Sequence, residues 1–141
     1  ALEKYAVACG GGINHRIGLY DQVMIKDNHL AALEGNMAEA IRRARKNYPD
    51  LKIEAEADTI EQAQAAAEAG ADIILLDNMS CDELRQAVGL IEGRAKTEAS
   101  GGVTLETVRE IAETGVDYIS VGALTHSAPS VDIALDFDQL S

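Results

Sequence analysis

Apolar positions along this chain follow two periods that take turns. Residues 22–26 (QVMIK) read as a strand, and residues 51–57 (LKIEAEA) alternate apolar with polar, the period-two pattern of a strand. Residues 72–76 (DIILL) form a continuous apolar run, as expected where both faces of a strand are buried. Residues 95–99 and 117–121 (DYISV) add two more strands. Between them the spacing is helical. Residues 37–48 make an amphipathic helix stopped by Pro49, and residues 59–69 an Ala-rich helix ended by Gly70. Ser80, with Glu83 three positions on, is a capping-box start for a helix running to about residue 91. Residues 104–114 make another helix, ended by Gly115. The first residues have helical character, and the tail, residues 131–140, begins with strand-like alternation.

Strands alternating with helices over short connections imply parallel strands and right-handed crossovers. The chain also repeats itself. Thr59, Glu61, Glu68, Gly70, Asp72 and Ile74 recur at a constant offset as Thr104, Glu106, Glu113, Gly115, Asp117 and Ile119. Each copy reads helix, Gly stop, Asp, buried strand, which is the repeating unit of a (β/α) barrel. A doubly wound open sheet is the alternative, but no Gly-x-Gly-x-x-Gly turn follows an early strand, and polar residues close several strands in succession. Five strands are fewer than the eight of a full barrel. The expected fold is therefore an α/β partial barrel with parallel strands and outer helices, residues 1–141 forming one domain.

Composition narrows the function. No apolar run approaches the roughly 20 residues that cross a bilayer, and the first residues lack the basic head and apolar stretch of a secretory signal. Cys9 and Cys81 form neither a disulfide framework nor a metal-ligand spacing, which fits a reducing, cytoplasmic setting. A net charge of −12 argues against a nucleic-acid or anionic-membrane partner, because both need clustered Lys and Arg. A small anionic substrate stays open, since a few local cations suffice for it.

In a barrel, ligands meet the C-terminal ends of the strands. Those positions hold Lys26-Asp27-Asn28-His29, Glu54, Glu56 and Asp58, Asp77-Asn78, Ser100-Gly101-Gly102 and Gly122-Ala123. Ser100-Gly101-Gly102 before a helix start offers backbone N–H groups and a positive dipole end to a phosphate, with Gly122-Ala123 on the other side. The same glycines also serve as plain turns. Glu56 and Asp77 end neighbouring strands and carry the hard oxygens that suit Mg²⁺, although solvated strand-end acids look the same in sequence. Glu54 shares a strand face with Glu56, and Asp58 is either a ligand or a cap for the following helix. Cys9-Gly10-Gly11-Gly12-Ile13-Asn14-His15-Arg16 reads as a glycine-rich loop able to wrap a ligand. With Lys26 it offers three donors to a carboxylate, or else plain surface charge. His29 and His126 fit structural roles, as do the two cysteines.

These stretches resemble quinolinate phosphoribosyltransferases. The similarity runs, in order, through CGGGINHRIGLYDQVMIKDNHL (9–30), IEAEADTIEQA (53–63), ADIILLDNMS (71–80), EASGGV (98–103) and DYISVGALTHSAP (117–129). The combination of these motifs is specific where any single one is not. The resemblance implies transfer of phosphoribose from phosphoribosyl pyrophosphate to the nitrogen of quinolinate, with loss of pyrophosphate and CO₂, giving nicotinate mononucleotide for NAD synthesis. It implies that His15, Arg16 and Lys26 contact the quinolinate carboxylates. It places Glu56 and Asp77 near the ribose and the Mg²⁺-pyrophosphate, with Lys26, Glu56 and Asp77 the catalytic set. It assigns Ser100, Gly101, Gly102, Gly122 and Ala123 to the 5′-phosphate.

Members of that family also carry an N-terminal α/β-sandwich domain and a Thr-Arg-Lys-Thr type segment. Residues 1–141 therefore correspond to the C-terminal barrel portion, without the first part of the barrel, and a homodimer or higher homo-oligomer is expected to complete the site. On this reading the chain alone is inactive. A related phosphoribosyltransferase-like protein with another substrate, such as the homologues associated with molybdate transport, and a barrel piece with only a structural or interaction role remain alternatives. All the named site residues are expected on one rim.

Overall fold

The computed structural model describes residues 2–136. The chain opens with α1 (Leu2–Cys9), and then runs β1 (Val23–Ile25), α2 (Asp27–Ala31), α3 (Met37–Asn47) and β2 (Ile53–Ala57). It continues through α4 (Ile60–Glu68), β3 (Ile73–Asp77), α5 (Cys81–Ile91) and β4 (Lys96–Ser100), ending with α6 (Val108–Ala112), β5 (Tyr118–Ile119) and α7 (Ala123–His126). All five strands are parallel and lie in the order β1-β2-β3-β4-β5. A doubly wound sheet would reverse direction partway. This one adds each strand beside the last without closing, which is the arrangement of a partial barrel.

Period-two alternation divides the sheet between two environments. Ile53, Ala55 and Ala57 of β2, Ile74 and Leu76 of β3 and Ala99 of β4 join the buried apolar core with Ile41 of α3, Ala63 and Ala66 of α4, and Leu84, Ala87 and Ile91 of α5. Alanines on α4 let that helix approach the sheet closely. The other sheet face carries Met24, Glu54, Glu56, Leu75, Asp77, Glu98 and Ser100, and is polar where a helix-covered face could not be.

Local chemistry accounts for the helix starts. Asn36 accepts from the Glu39 N–H at 2.9 Å ahead of α3, and Thr59 accepts from Gln62 ahead of α4. Ser80 and Glu83 form the expected reciprocal capping box on α5. The repeated aspartates tie neighbouring strands at their start. Asp72 Oδ2 accepts from the Ile53 N–H at 2.8 Å and from Arg45 at 2.7 Å. Asp117 Oδ2 accepts from the Thr97 N–H at 2.9 Å, while Oδ1 accepts from Lys96 at 2.6 Å. In both copies of the repeat, ahead of β3 and of β5, the aspartate satisfies an N–H at the foot of the strand before it, so the repeat has a mechanical reason.

Three expectations need correction. The helix expected from Thr104 begins at Val108; Thr104 instead donates its N–H to Thr107 Oγ1 in a preceding turn. Residues 131–136 form no strand and are exposed; the rest of the expected tail strand lies outside the described residues. The short helices α2 and α7 follow directly on strand ends, where the sequence reads as loop.

Candidate active site

The parallel registers bring the C-terminal strand ends to one rim. Asp77 pairs with Ser100 and Ala99 with Ile119, and Lys26, Glu56, Asp77, Ser100-Gly101-Gly102 and Gly122-Ala123 stand at or just past those ends. Lys26 Nζ lies 2.5 Å from Glu56 Oε2. That bond, with Asp77 and Asp27 nearby, raises the Lys26 pKa above its ordinary value. Burial, then the charges of Glu56 and Asp77, push the Asp58 carboxyl upward. Several acids thus crowd around one lysine. Asp58 does not cap α4; the Thr59 hydroxyl does, while the Asp58 N–H donates to Gln62. Asp77 accepts from the Asn78 side chain at 2.7 Å.

The phosphate-cradle glycines divide by cause. Gly101 has φ +93, and a Cβ there would meet Asn78 Oδ1 at 2.1 Å, so it is glycine because the β3–α5 loop packs on it. Gly102 has φ +61 and open space around it. Gly122 has φ −60, which any residue can adopt. Among the described residues, the N–H groups of Gly102, Gly122 and Ala123 donate to no protein acceptor.

His15 and Arg16 are not on the rim, contrary to expectation. They belong to the segment between α1 and β1, which crosses the polar sheet face deeper in. The glycines before them end α1. Gly11, at φ +81, donates to Ala8, and Gly12 donates to Val7 at 2.9 Å, a Schellman stop rather than a ligand-wrapping loop. Two bonds hold the segment to α1: the Asn14 side chain donates to the Lys4 carbonyl, and Lys4 Nζ donates to the Arg16 carbonyl. Asp21 gathers the Ile17 and Gly18 N–H groups, which lower its pKa.

His15 Nε2 lies 3.1 Å from Glu54 Oε2 and 3.7 Å from Glu98 Oε1. Glu54 is 0 % and Glu98 4 % exposed. Gln22 donates to Glu54 at 2.5 Å, and the Ser120 hydroxyl donates to Glu98. Burial, then Glu98, push the Glu54 carboxyl up, while His15 and Arg16 pull it back. Arg16 points one guanidinium nitrogen at Met24 sulfur, 3.5 Å away. Two adjoining cavities, of about 480 Å³ and about 370 Å³, share His15 and Ser120, the first reaching Arg16 and the second Gly122. Lys26, Glu56 and Asp77 lie outside both, on the open rim.

His29 accepts the Lys26 N–H at 3.0 Å, a structural use, and Cys9 and Cys81 are free thiols. Glu98, Ser120 and Gln22 carry no motif of their own among the strand-end residues. An acid in mid-strand, opposite core residues on the other face, is the sequence signal that marks Glu54 and Glu98.

Residues 1–136 match the family described as Quinolinate phosphoribosyl transferase, C-terminal domain. The chain is 52% identical over 136 residues to a probable nicotinate-nucleotide pyrophosphorylase [carboxylating] of Bacillus subtilis, covering 96% of this chain and 47% of that protein. It is 48% identical to the nicotinate-nucleotide pyrophosphorylase [carboxylating] of Mycobacterium leprae, over 96% of this chain and 49% of that one. The crystal structure of NadC from Streptococcus pyogenes superposes with a TM-score of 0.87 at 46% identity, over 92% of this chain and 46% of that one. The chain spans about half the length of these relatives. The match across nearly all its residues and the shared architecture show that it belongs to the quinolinate phosphoribosyltransferase family, within that family's C-terminal domain.

Proposed function

We propose that residues 1–141 are the barrel portion of an enzyme that transfers phosphoribose from phosphoribosyl pyrophosphate to quinolinate, releasing pyrophosphate and CO₂ and forming nicotinate mononucleotide. The observation that carries this reading is the rim. A lysine set among carboxylates and backbone N–H groups at Gly102, Gly122 and Ala123, which have no protein acceptor among the described residues, all stand at the C-terminal ends of the parallel strands. Cations for a dicarboxylate, acids for a developing ribosyl cation and free N–H groups for a phosphate are the parts this reaction needs.

Each residue then has a task. Lys26, His15 and Arg16 bind the quinolinate carboxylates, the last two from the cavity behind the rim. Lys26 leaves Glu56 to do so, exchanging one carboxylate partner for another. Glu56 and Asp77 face the ribose carbon from which pyrophosphate departs, and their negative charge favours the positive charge growing there. Ser100, Gly101, Gly102, Gly122 and Ala123 hold the 5′-phosphate, with Gly101 acting by seating the loop on Asn78. The ring nitrogen, cationic after transfer, is the electron sink for loss of the adjacent carboxylate.

The carboxylate oxygens of Glu56 and Asp77 are hard donors that fit Mg²⁺ shared with pyrophosphate oxygens. When bound, the ion would take up charge on the leaving group. A homo-oligomer completes the site, in a reducing, cytoplasmic setting that the two free thiols support. No helix among the described residues is long and apolar enough to cross a membrane.

The test is an assay of the full-length protein with both substrates. The expected result is nicotinate mononucleotide formed in step with CO₂ and pyrophosphate. No product at any Mg²⁺ concentration, or turnover of another pyridine carboxylate in preference to quinolinate, would overturn the reading.

A further inference from the structure

We infer that Glu54 and Glu98 are positioning residues: a buried carboxylate pair that holds the His15 ring and fixes Nε2 as its proton-bearing nitrogen, leaving Nδ1 to face quinolinate. The inference rests on the proposed contact between His15 and that substrate. Three observations support it. His15 Nε2 lies 3.1 Å from Glu54, within hydrogen-bond reach, and 3.7 Å from Glu98, so one acceptor and a second negative charge face the same ring nitrogen. Both acids are almost wholly removed from solvent. Each acid also has its own donor, Gln22 for Glu54 and Ser120 for Glu98, and donors to a carboxylate favour its acceptor form.

An ionised carboxylate offers acceptors only, so with Glu54 in its carboxylate form the ring nitrogen facing it, Nε2, is the donor. Among the described residues no partner is recorded for Nδ1. His15 keeps a side-chain exposure of 36% and lines both cavities, so the ring is held from beneath and open above. The three ligand atoms lie within 4.8 Å of one another, close enough for a metal ion. The added Gln22 and Ser120 donors instead make the cluster a filled hydrogen-bond network.

The arrangement is costly for its own sake. Two buried acids whose oxygens lie within 4.8 Å of each other repel. Gln22 lies just before β1, Glu54 in β2, Glu98 in β4 and Ser120 just after β5. The cradle therefore draws on four strands to place one imidazole that belongs to none of them.

The experiment uses the full-length protein carrying E54Q, E98Q, H15A and the double variant H15A/E54Q, with steady-state kinetics for each substrate and ¹⁵N-histidine spectra without substrate. We expect E54Q and E98Q each to raise KM for quinolinate about tenfold, while KM for phosphoribosyl pyrophosphate changes less than about twofold. H15A/E54Q should be within about twofold of H15A, because residues acting through one another are not additive. In the wild type the His15 Nε2–H signal should exchange slowly with water, and it should broaden in E54Q or E98Q. A full additional loss in H15A/E54Q, or an unchanged Nε2–H signal in both single variants, would overturn the positioning role. If H15A alone left quinolinate KM unchanged while the Nε2–H signal still depended on Glu54 and Glu98, the substrate contact of His15 would fall and the cradle would stand. E98Q guards against a folding defect confined to E54Q, and thermal melts identify one.

Discussion

Gly101, Gly102 and Gly122 look alike in sequence and differ in physics. Gly101 makes room for Asn78, Gly102 adopts a left-handed backbone facing open space, and Gly122 needs neither. Gly122→Ala is therefore the clean probe of the phosphate cradle. Its helical backbone accepts a methyl, which would sit 3.3 Å from His126 Nε2, so thermal stability should stay within about 1 kcal/mol of the wild type. The methyl should obstruct a phosphate at the free N–H groups and weaken ribose 5-phosphate binding roughly tenfold or more. Calorimetric titration with ribose 5-phosphate checks this, and unchanged affinity would remove Gly122 from the cradle. Lys26→Ala should weaken quinolinate by about 1.5–3 kcal/mol, the loss of one charge-assisted bond. Phosphoribosyl pyrophosphate should suffer less, although Glu56 loses its partner at the same time. Equal loss for both substrates, measured as separate KM values, would argue that Lys26 serves Glu56 rather than quinolinate.

At the scale of elements the internal repeat predicts where stability resides. Asp72 and Asp117 each accept the N–H at the foot of a neighbouring strand. Replacing either by Ala leaves a buried N–H unpaired, at about 1–3 kcal/mol. The two sites share no partner, so D72A and D117A should add to within about 0.5 kcal/mol in denaturant unfolding. Asp117 also gives a pH signature. Its bond to Lys96 and the Thr97 N–H lower its pKa below 3.8. A lowered folded pKa stabilises fully above the unfolded value and is lost as pH falls through the folded one. The stability gap between wild type and D117A should thus be constant above about pH 5 and shrink below about pH 4. A gap that widened toward acid would contradict the assignment. The same repeat misleads about α6. Thr104 matches Thr59 in sequence, yet Thr59 caps its helix directly, whereas Thr104 is followed by a turn before Val108.

For the molecule as a whole, the sheet is open, with β1 and β5 at its edges among the described residues. Leu2 and Tyr5 of α1, Ile17, Leu19 and Tyr20 before β1, and Leu124 of α7 are exposed. Open edges and apolar flanks favour association. Residues 1–141 produced alone should sediment with a concentration-dependent coefficient and bind a hydrophobic dye. A single monomeric boundary at high concentration, with no dye binding, would contradict this.

Local pattern determined the five strands, the helices α3, α4 and α5 and the capping box of α5, because period, Gly and Pro stops and capping residues act over a few positions. It also marked Lys26, Glu56, Asp77 and Ser100 as strand-end residues, since a polar residue closing an apolar strand is visible in the chain itself. Where the His15-Arg16 segment goes was not legible. Its residues read as a ligand-wrapping loop or as plain surface charge, and only contact with Glu54 and Glu98, 39 and 83 positions away, shows that it crosses the sheet. The same holds for the reason Gly101 is glycine, which depends on Asn78 across a strand gap. Period and caps are local and survive in a single sequence. Burial of an acid against a distant imidazole exists only after the strands have paired, so tertiary structure alone decided it.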